Sequence, residues 1–309
     1  MAIPVLIDTD AGADGVVALA LVLASDQVDL RAITGVAGSV DLDQVMANLD
    51  RLLDALGPPS MPIIGRGLDQ VDSSLLDRRA LFGDDGLSNW EQTAKSHPVH
   101  DDFLDVYQRT IEEASGALNI LALGPLSNLA ALVTEMPDSA RHVEHVFISG
   151  GSVWARGNVN EFAEFNFYRD PSAAAVVLTS GLPITIVPLD VTGLVCLDQS
   201  HVARMAASGY RTGDVAARVL EHALEYDGAP TYGKVFAPAA VTVGSLLWPD
   251  LFIKTRMRLD VTTRGAEAGR SRPALGGDKT TQVDLLTAVN AMDLLENMLE
   301  CLCHEAFIV

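Results

Sequence analysis

Three aspartates near the start of the chain, Asp8, Asp10 and Asp14, are spaced two and four residues apart, with Gly12 between them. They follow the apolar run Ile3-Pro4-Val5-Leu6-Ile7 and precede a second one from Val16 to Leu23. That order predicts a buried strand, an acidic turn and a helix start. Acids at the carboxyl end of a strand stand where open α/β sheets bind ligands. Three converging carboxylates repel one another, so the turn needs a cation, a proton or a ligand rich in hydroxyl donors. Capping of the following helix would account for Asp14 alone.

A second group lies in the segment Gly157-Asn158-Val159-Asn160-Glu161-Phe162-Ala163-Glu164-Phe165-Asn166, followed by Asp170-Pro171. Amides and a carboxylate that alternate with aromatic residues suit a pocket that grips a diol and walls it with apolar surface. A third segment, Ala122-Leu123-Gly124-Pro125-Leu126-Ser127-Asn128, reads as a strand end, a Gly-Pro turn and a helix start that could present a backbone carbonyl to the same edge.

The elements that must position these groups alternate. Val5–Ile7, Leu30–Val36, Asn119–Leu123, His145–Ser149 and Ile184–Val187 read as buried strands. Asp41–Leu56, Asp101–Ser115, Ser127–Thr134 and Pro171–Thr179 read as helices. Strand and helix in alternation predict an α/β fold, a Rossmann-like, mostly parallel sheet flanked by helices. Residues 57–100 read as a long loop region, 201–235 as helical, 264–280 as a polar loop, and 283–303 as a final strand and helix. No linker divides the chain, so residues 1–309 are expected to form a single domain.

A net charge of −20 argues against nucleic acid and anionic membrane as partners. No apolar run reaches the roughly 18 residues of a membrane span, and no secretory leader is evident. Three cysteines, Cys196, Cys301 and Cys303, give no disulfide framework and suit a reducing, cytoplasmic setting. The Cys301-Leu302-Cys303-His304 spacing is too short for a zinc knuckle. An Asp-x-Asp phosphohydrolase would use the same first turn with Mg²⁺. No downstream lysine and acidic pair supports it, and Gly276-Gly277-Asp278-Lys279-Thr280 lacks phosphate-loop spacing.

Taken together, Asp8-Thr9-Asp10-Ala11-Gly12-Ala13-Asp14, Gly124-Pro125-Leu126-Ser127-Asn128, Ala163-Glu164-Phe165-Asn166 with Asp170-Pro171, and Leu189-Asp190-Val191-Thr192 resemble the inosine-uridine preferring nucleoside hydrolase family, in order and spacing, over nearly the whole chain. The resemblance implies the nucleoside hydrolase fold, a homodimer or homotetramer, and cleavage of the N-glycosidic bond of ribonucleosides. It implies Ca²⁺ held by Asp10 and the backbone carbonyl of Leu123, with Asp10 taking a proton from the attacking water. It implies ribose held by Asp14, Asn158, Glu164 and Asn166. Phe82, Tyr226, Tyr232 and Phe236 are the expected base pocket.

The chain also departs from that pattern. Gly15 stands where the family has a second consecutive acid, and Phe236-Ala237 before Pro238 replaces a His-Asp pair. Phe82 stands in place of a loop histidine and Ser39 in place of an asparagine. None of the seven histidines falls in a matched motif. Two of the three carboxylates expected around Ca²⁺ are therefore missing, so a weak or absent metal is expected beside a complete sugar-holding set. Three activities fit: a hydrolase with an impaired calcium site, a ribosyl transferase that uses Asp10 as nucleophile, and a non-catalytic protein that binds a ribosyl ligand or assembles with a hydrolase.

Overall fold

A computed structural model describes residues 2–69, 83–225, 233–274 and 282–304, apart from the side chains of residues 222 and 225. Its strands are β1 (Ile3–Thr9), β2 (Val28–Gly35), β3 (Ile63–Arg66), β4 (Val99–His100), β5 (Asn119–Ala122), β6 (His145–Ser149), β7 (Ile184–Val187), β8 (Cys196–Asp198), β9 (Lys234–Phe236), β10 (Phe252–Val261), β11 (Ser271–Pro273) and β12 (Gln282–Val289). Ten of these form one sheet in the order β11-β10-β12-β7-β6-β5-β1-β2-β3-β4, and β8 pairs with β9 apart from it. From β12 to β4 every neighbour is parallel, and β10 runs antiparallel to both β11 and β12. The mostly parallel α/β sheet expected from the sequence is therefore present.

The helices are α1 (Ala13–Ala24), α2 (Leu42–Leu56), α3 (Phe103–Glu113), α4 (Ser127–Glu135), α5 (Pro137–Ala140), α6 (Phe165–Arg169), α7 (Pro171–Leu178), α8 (Leu189–Thr192), α9 (Gln199–Ala207), α10 (Arg211–Glu225), α11 (Pro238–Leu247) and α12 (Ala291–Leu302). They cover both faces of the sheet. One core gathers α1, α2, α10 and α11, and the other gathers α3, α4 and α7. Strands buried on both faces read as unbroken apolar runs, which is why β1, β5 and β7 stand out in the sequence.

Local chemistry sets the helix limits. The buried residues of α2, Leu42, Val45, Met46, Leu49, Leu52, Leu53 and Leu56, fall at helical spacing. Asp41 caps the helix by accepting the Gln44 N–H at 2.9 Å, and Gly57 ends it in the left-handed conformation that glycine adopts without strain. In α1 every residue except Asp14 is buried, because α1 is packed beneath α11 and α10 as well as against the sheet. Asp14 is thus the lone polar side chain of a helix that is otherwise core.

Four stretches differ from the sequence reading. The loop region 57–100 contains β3 and β4; a four-residue strand with an internal glycine carries little pattern. The stretch 201–235 holds α9 and α10 and then turns into β9. Residues 271–273 of the polar loop form β11. β10 escapes an apolar search because Lys254, Thr255 and Arg256 are exposed near the sheet edge. No helix among the described residues is long and apolar enough to cross a membrane.

Candidate active site

The acidic turn leaves the carboxyl end of β1, the strand that lies between β5 and β2. Its three aspartates have different surroundings. Asp8 is fully buried. Its Oδ2 accepts hydrogen bonds from Thr34 Oγ1 at 2.5 Å, Asn128 Nδ2 at 2.8 Å and the Tyr107 hydroxyl at 3.0 Å, while Oδ1 has no partner among the described residues. Burial pushes its pKa up to about 6 against the lowering effect of those bonds, and the Asp10 charge raises it further. Tyr107 is raised well above its ordinary value, first by burial and then by the Asp8 charge. Asp8 is a structural neighbour of the site, enclosed beneath it.

Asp10 is buried at the site itself. Its Oδ2 accepts both the backbone N–H and the hydroxyl of Ser39 at 2.9 Å. Gly12 makes the cradle possible. A β-carbon on it would stand 3.6 Å from each of Asp10 Oδ1, Asp14 Oδ1 and Ser39 Oγ, so three oxygens surround one position that glycine leaves empty. Asp14 sits in the first turn of α1 and reaches across to α11, where its Oδ2 accepts the Ala239 N–H at 3.4 Å. Ala237, the N-cap residue of α11, supplies no capping side chain, and Pro238 has no N–H. An acid from another helix therefore meets the positive end of α11.

The sugar-loop residues come to the same sheet edge by a different route. Glu164 caps α6. Its Oε1 accepts the Asn166 N–H at 2.9 Å, and its Oε2 accepts the N–H groups of Gly151 at 3.0 Å and Phe167 at 3.1 Å. Asn166 Nδ2 donates to the carbonyls of Leu123 at 3.2 Å and Ser149 at 2.8 Å, which ties α6 to the ends of β5 and β6. Leu123 in turn donates its N–H to the Asp8 carbonyl at 2.7 Å. Gly124 approaches so closely that a β-carbon there would lie 2.9 Å from the Asp10 nitrogen. Residues 123–124 thus join Asp10 on one side to Glu164 and Asn166 on the other. Asn158 is exposed on the loop that precedes them, with its N–H on the Ala163 carbonyl at 3.1 Å.

Phe236 is half-buried at the end of β9, across from Cys196. The other expected base-pocket residues, Phe82, Tyr226 and Tyr232, lie outside the described residues. Gly15 is buried in α1, where a β-carbon would meet Thr9 Oγ1 at 3.3 Å; Ala237 is also buried. Among the described residues no group of three or more His, Cys, Asp or Glu side chains is placed to hold a metal ion.

Sequence reasoning noticed Ser39 for what it replaces and missed what it does, which is to hold Asp10. Asp190 also has a position its motif alone does not reveal. Its carboxylate accepts the N–H groups of Val153, Trp154 and Ala155 and so fixes the start of the sugar loop.

Comparison with known proteins places this fold in a family. The family model "Inosine-uridine preferring nucleoside hydrolase" matches residues 5–296. The pyrimidine-specific ribonucleoside hydrolase RihA of Citrobacter koseri is 32% identical over 268 residues, with 86% of each chain covered, and its Salmonella schwarzengrund counterpart is 31% identical over the same length. A plant nucleoside hydrolase structure superposes with a TM-score of 0.91 at 26% identity, covering 97% of this chain and 98% of the other. A purine-preferring ribonucleoside hydrolase from Gardnerella vaginalis shares the fold, with a TM-score of 0.90 at 23% identity and coverage of 97% and 98%. With the match spanning nearly every element described above, the chain belongs to the inosine-uridine preferring nucleoside hydrolase family.

Proposed function

We propose that this chain binds the ribosyl part of a ribonucleoside at the carboxyl edge of β1, β5 and β6 and hydrolyses its N-glycosidic bond slowly, without a resident calcium ion. The supporting observations are the Gly12 position that oxygens of Asp10 and Asp14 share, and the link that residues 123–124 make from Asp10 to Asn166, whose N–H Glu164 holds. Family membership and the ribonucleoside hydrolases among its relatives point the same way.

The residues present do not fit Ca²⁺. That ion takes roughly six to eight oxygens, carboxylates foremost. Gly15 and Ala237 offer no side-chain oxygen, and the Leu123 carbonyl, which also accepts the Asn166 amide, has only one lone pair left to offer. Asp10 Oδ2 is held by Ser39, and Asp14 faces the α11 N-terminus.

The chemistry then falls to the chain. Breaking the bond leaves positive charge on the ribosyl ring, and Asp10 and Asp14 stabilise it from the acidic turn. Asp10 Oδ1 accepts the proton of the attacking water. A carboxylate acting on a water that no cation has acidified is a weak base, so turnover is slow. Phe236 gives the departing base an apolar wall that cannot protonate it, and good leaving groups are therefore favoured.

A second reading, a ribosyl-binding protein without turnover, is favoured by the same shortage of groups to activate water. Titration calorimetry with ribose and with nucleosides, with and without Ca²⁺, together with chromatography of the released base, separates the two. Slow, Asp10-dependent release unaffected by Ca²⁺ supports hydrolysis, and tight ribosyl binding with no release supports the second reading. Calcium-dependent turnover refutes both.

A further inference from the structure

We propose that Arg270 and Ser271, more than 100 residues along the chain from the sugar-loop residues they touch, are positioning residues that hold that loop in its binding conformation. The inference deepens the ribosyl-binding reading and rests on it for the ligand. Its evidence is a set of contacts which that reading does not use.

The chain from Thr262 to Arg270 joins β10 to β11 at the far edge of the sheet. It closes on itself, with the Thr262 N–H on the Arg270 carbonyl at 2.9 Å and the Gly269 N–H on the Thr262 carbonyl at 2.8 Å. Three consecutive residues then reach back to the sugar loop. Gly269 packs so tightly that a β-carbon on it would lie 2.6 Å from Tyr168 Cα. Arg270 forms an isolated antiparallel bridge with Ala163, and its guanidinium lies 4.9 Å from the centre of the Phe162 ring. Glu267 pairs with that guanidinium at 2.9 Å and steadies it.

Ser271 completes the clasp. It is 1% exposed, and its hydroxyl accepts the Ser152 N–H and donates to the Ser152 carbonyl, both at 2.9 Å. One side chain thus satisfies both backbone groups of Ser152, as a neighbouring strand would. Gly151, the next residue back, gives its N–H to Glu164 Oε2. Its φ is +83°, and a β-carbon on it would stand 3.1 Å from Ser271 Oγ. The hydroxyl therefore fixes the peptide that orients Glu164, while Arg270 fixes the residues immediately before Glu164. Neither residue needs to touch the ligand.

The test uses Ser271→Ala and Arg270→Ala, with Ser271→Thr as the hydroxyl-retaining control. Arg270 is partly exposed, so its truncation keeps the fold even if the serine variant is destabilised. Hydrogen exchange of the 151–167 amides is measured against that of α1, and affinities are measured for ribose and for two nucleosides with different bases. The expected result is faster exchange confined to 151–167. Affinity should fall by roughly tenfold, a loss of about 1.4 kcal/mol, and by the same factor for all three ligands. Recovery is expected in Ser271→Thr. Unchanged exchange in both alanine variants overturns the clasp, and faster exchange with unchanged affinities overturns the positioning role. If the parent protein bound no ribosyl compound the functional reading would fail, and the exchange experiment would decide the clasp alone.

Discussion

Replacing Asp8 with asparagine removes a buried charge that the fold carries at a cost. Among the described residues, the three side-chain donors that reach Asp8 converge on Oδ2 and leave Oδ1 bare in a fully buried position. Such an arrangement tolerates the neutral acid better than the anion. The folded pKa is about 6, against 3.8 for the ordinary side chain. At about 1.36 kcal/mol per unit, ionising Asp8 in the folded protein costs about 3 kcal/mol relative to the unfolded chain. The folded state binds the proton more tightly, so stability is greatest below pH 3.8 for this group. It falls as pH rises toward 6 and is flat above. The assay is urea denaturation of parent and Asp8→Asn at intervals from pH 3.5 to 7.5, read as the difference between the two proteins so that other carboxylates cancel. The parent should lose about 3 kcal/mol relative to the variant across that window. A difference that does not change with pH, or one in which the parent gains stability as pH rises, would refute the argument from the bare oxygen.

Three other outcomes are expected. Gly15→Asp with Ala237→Asp should create calcium-dependent stability absent from the parent. At 100 times the dissociation constant, calcium would add about 2.7 kcal/mol. For a chain of 309 residues that is a rise of about 4 °C in Tm by calorimetry. An equal rise in the parent would show that its own residues bind the ion. Gly12→Ala has an ordinary φ of −78° and contacts at 3.6 Å, so it should fold with Tm changed by no more than a few degrees. Its methyl fills the cradle, and calorimetry should show ribosyl affinity reduced at least tenfold, about 1.4 kcal/mol. Asp41→Ala should cost about 1 kcal/mol in denaturant unfolding, because it removes the bond to the Gln44 N–H at the start of α2.

Much of this is legible in the sequence, for physical reasons that differ from residue to residue. β1, β5 and β7 could be read because a strand buried on both faces must be apolar throughout. β10 could not, because Lys254 and Arg256 answer to solvent near the sheet edge. Asp10 and Asp14 announced themselves by spacing after a strand. Glu164 and Asn166 stand out as amide and carboxylate among aromatic residues, but the pattern does not carry their local geometry. A carboxylate that accepts the N–H groups of residues 166 and 167 is a helix cap, and the same letters in the sequence permit a strand end. Ser39 and Ser271 were beyond reach, since a serine acquires meaning from the backbone it meets, here 29 residues from Asp10 and 119 residues from Ser152.

The position of β1 between β5 and β2 also governs when the site comes into being. Asp10 leaves the ribosome ahead of both strands that flank β1. Its strand cannot gain its β5 neighbour until residue 122 has emerged, and Asp14 cannot meet α11 until residue 239 has followed. At roughly 5–20 residues per second that interval is on the order of ten to fifty seconds. Until residue 122 emerges β1 lacks its β5 neighbour, and until residue 239 emerges Asp14 lacks the Ala239 N–H, although Ser39 is already there to hold Asp10. The site cannot close until residue 239 has been made, 229 residues after its central acid.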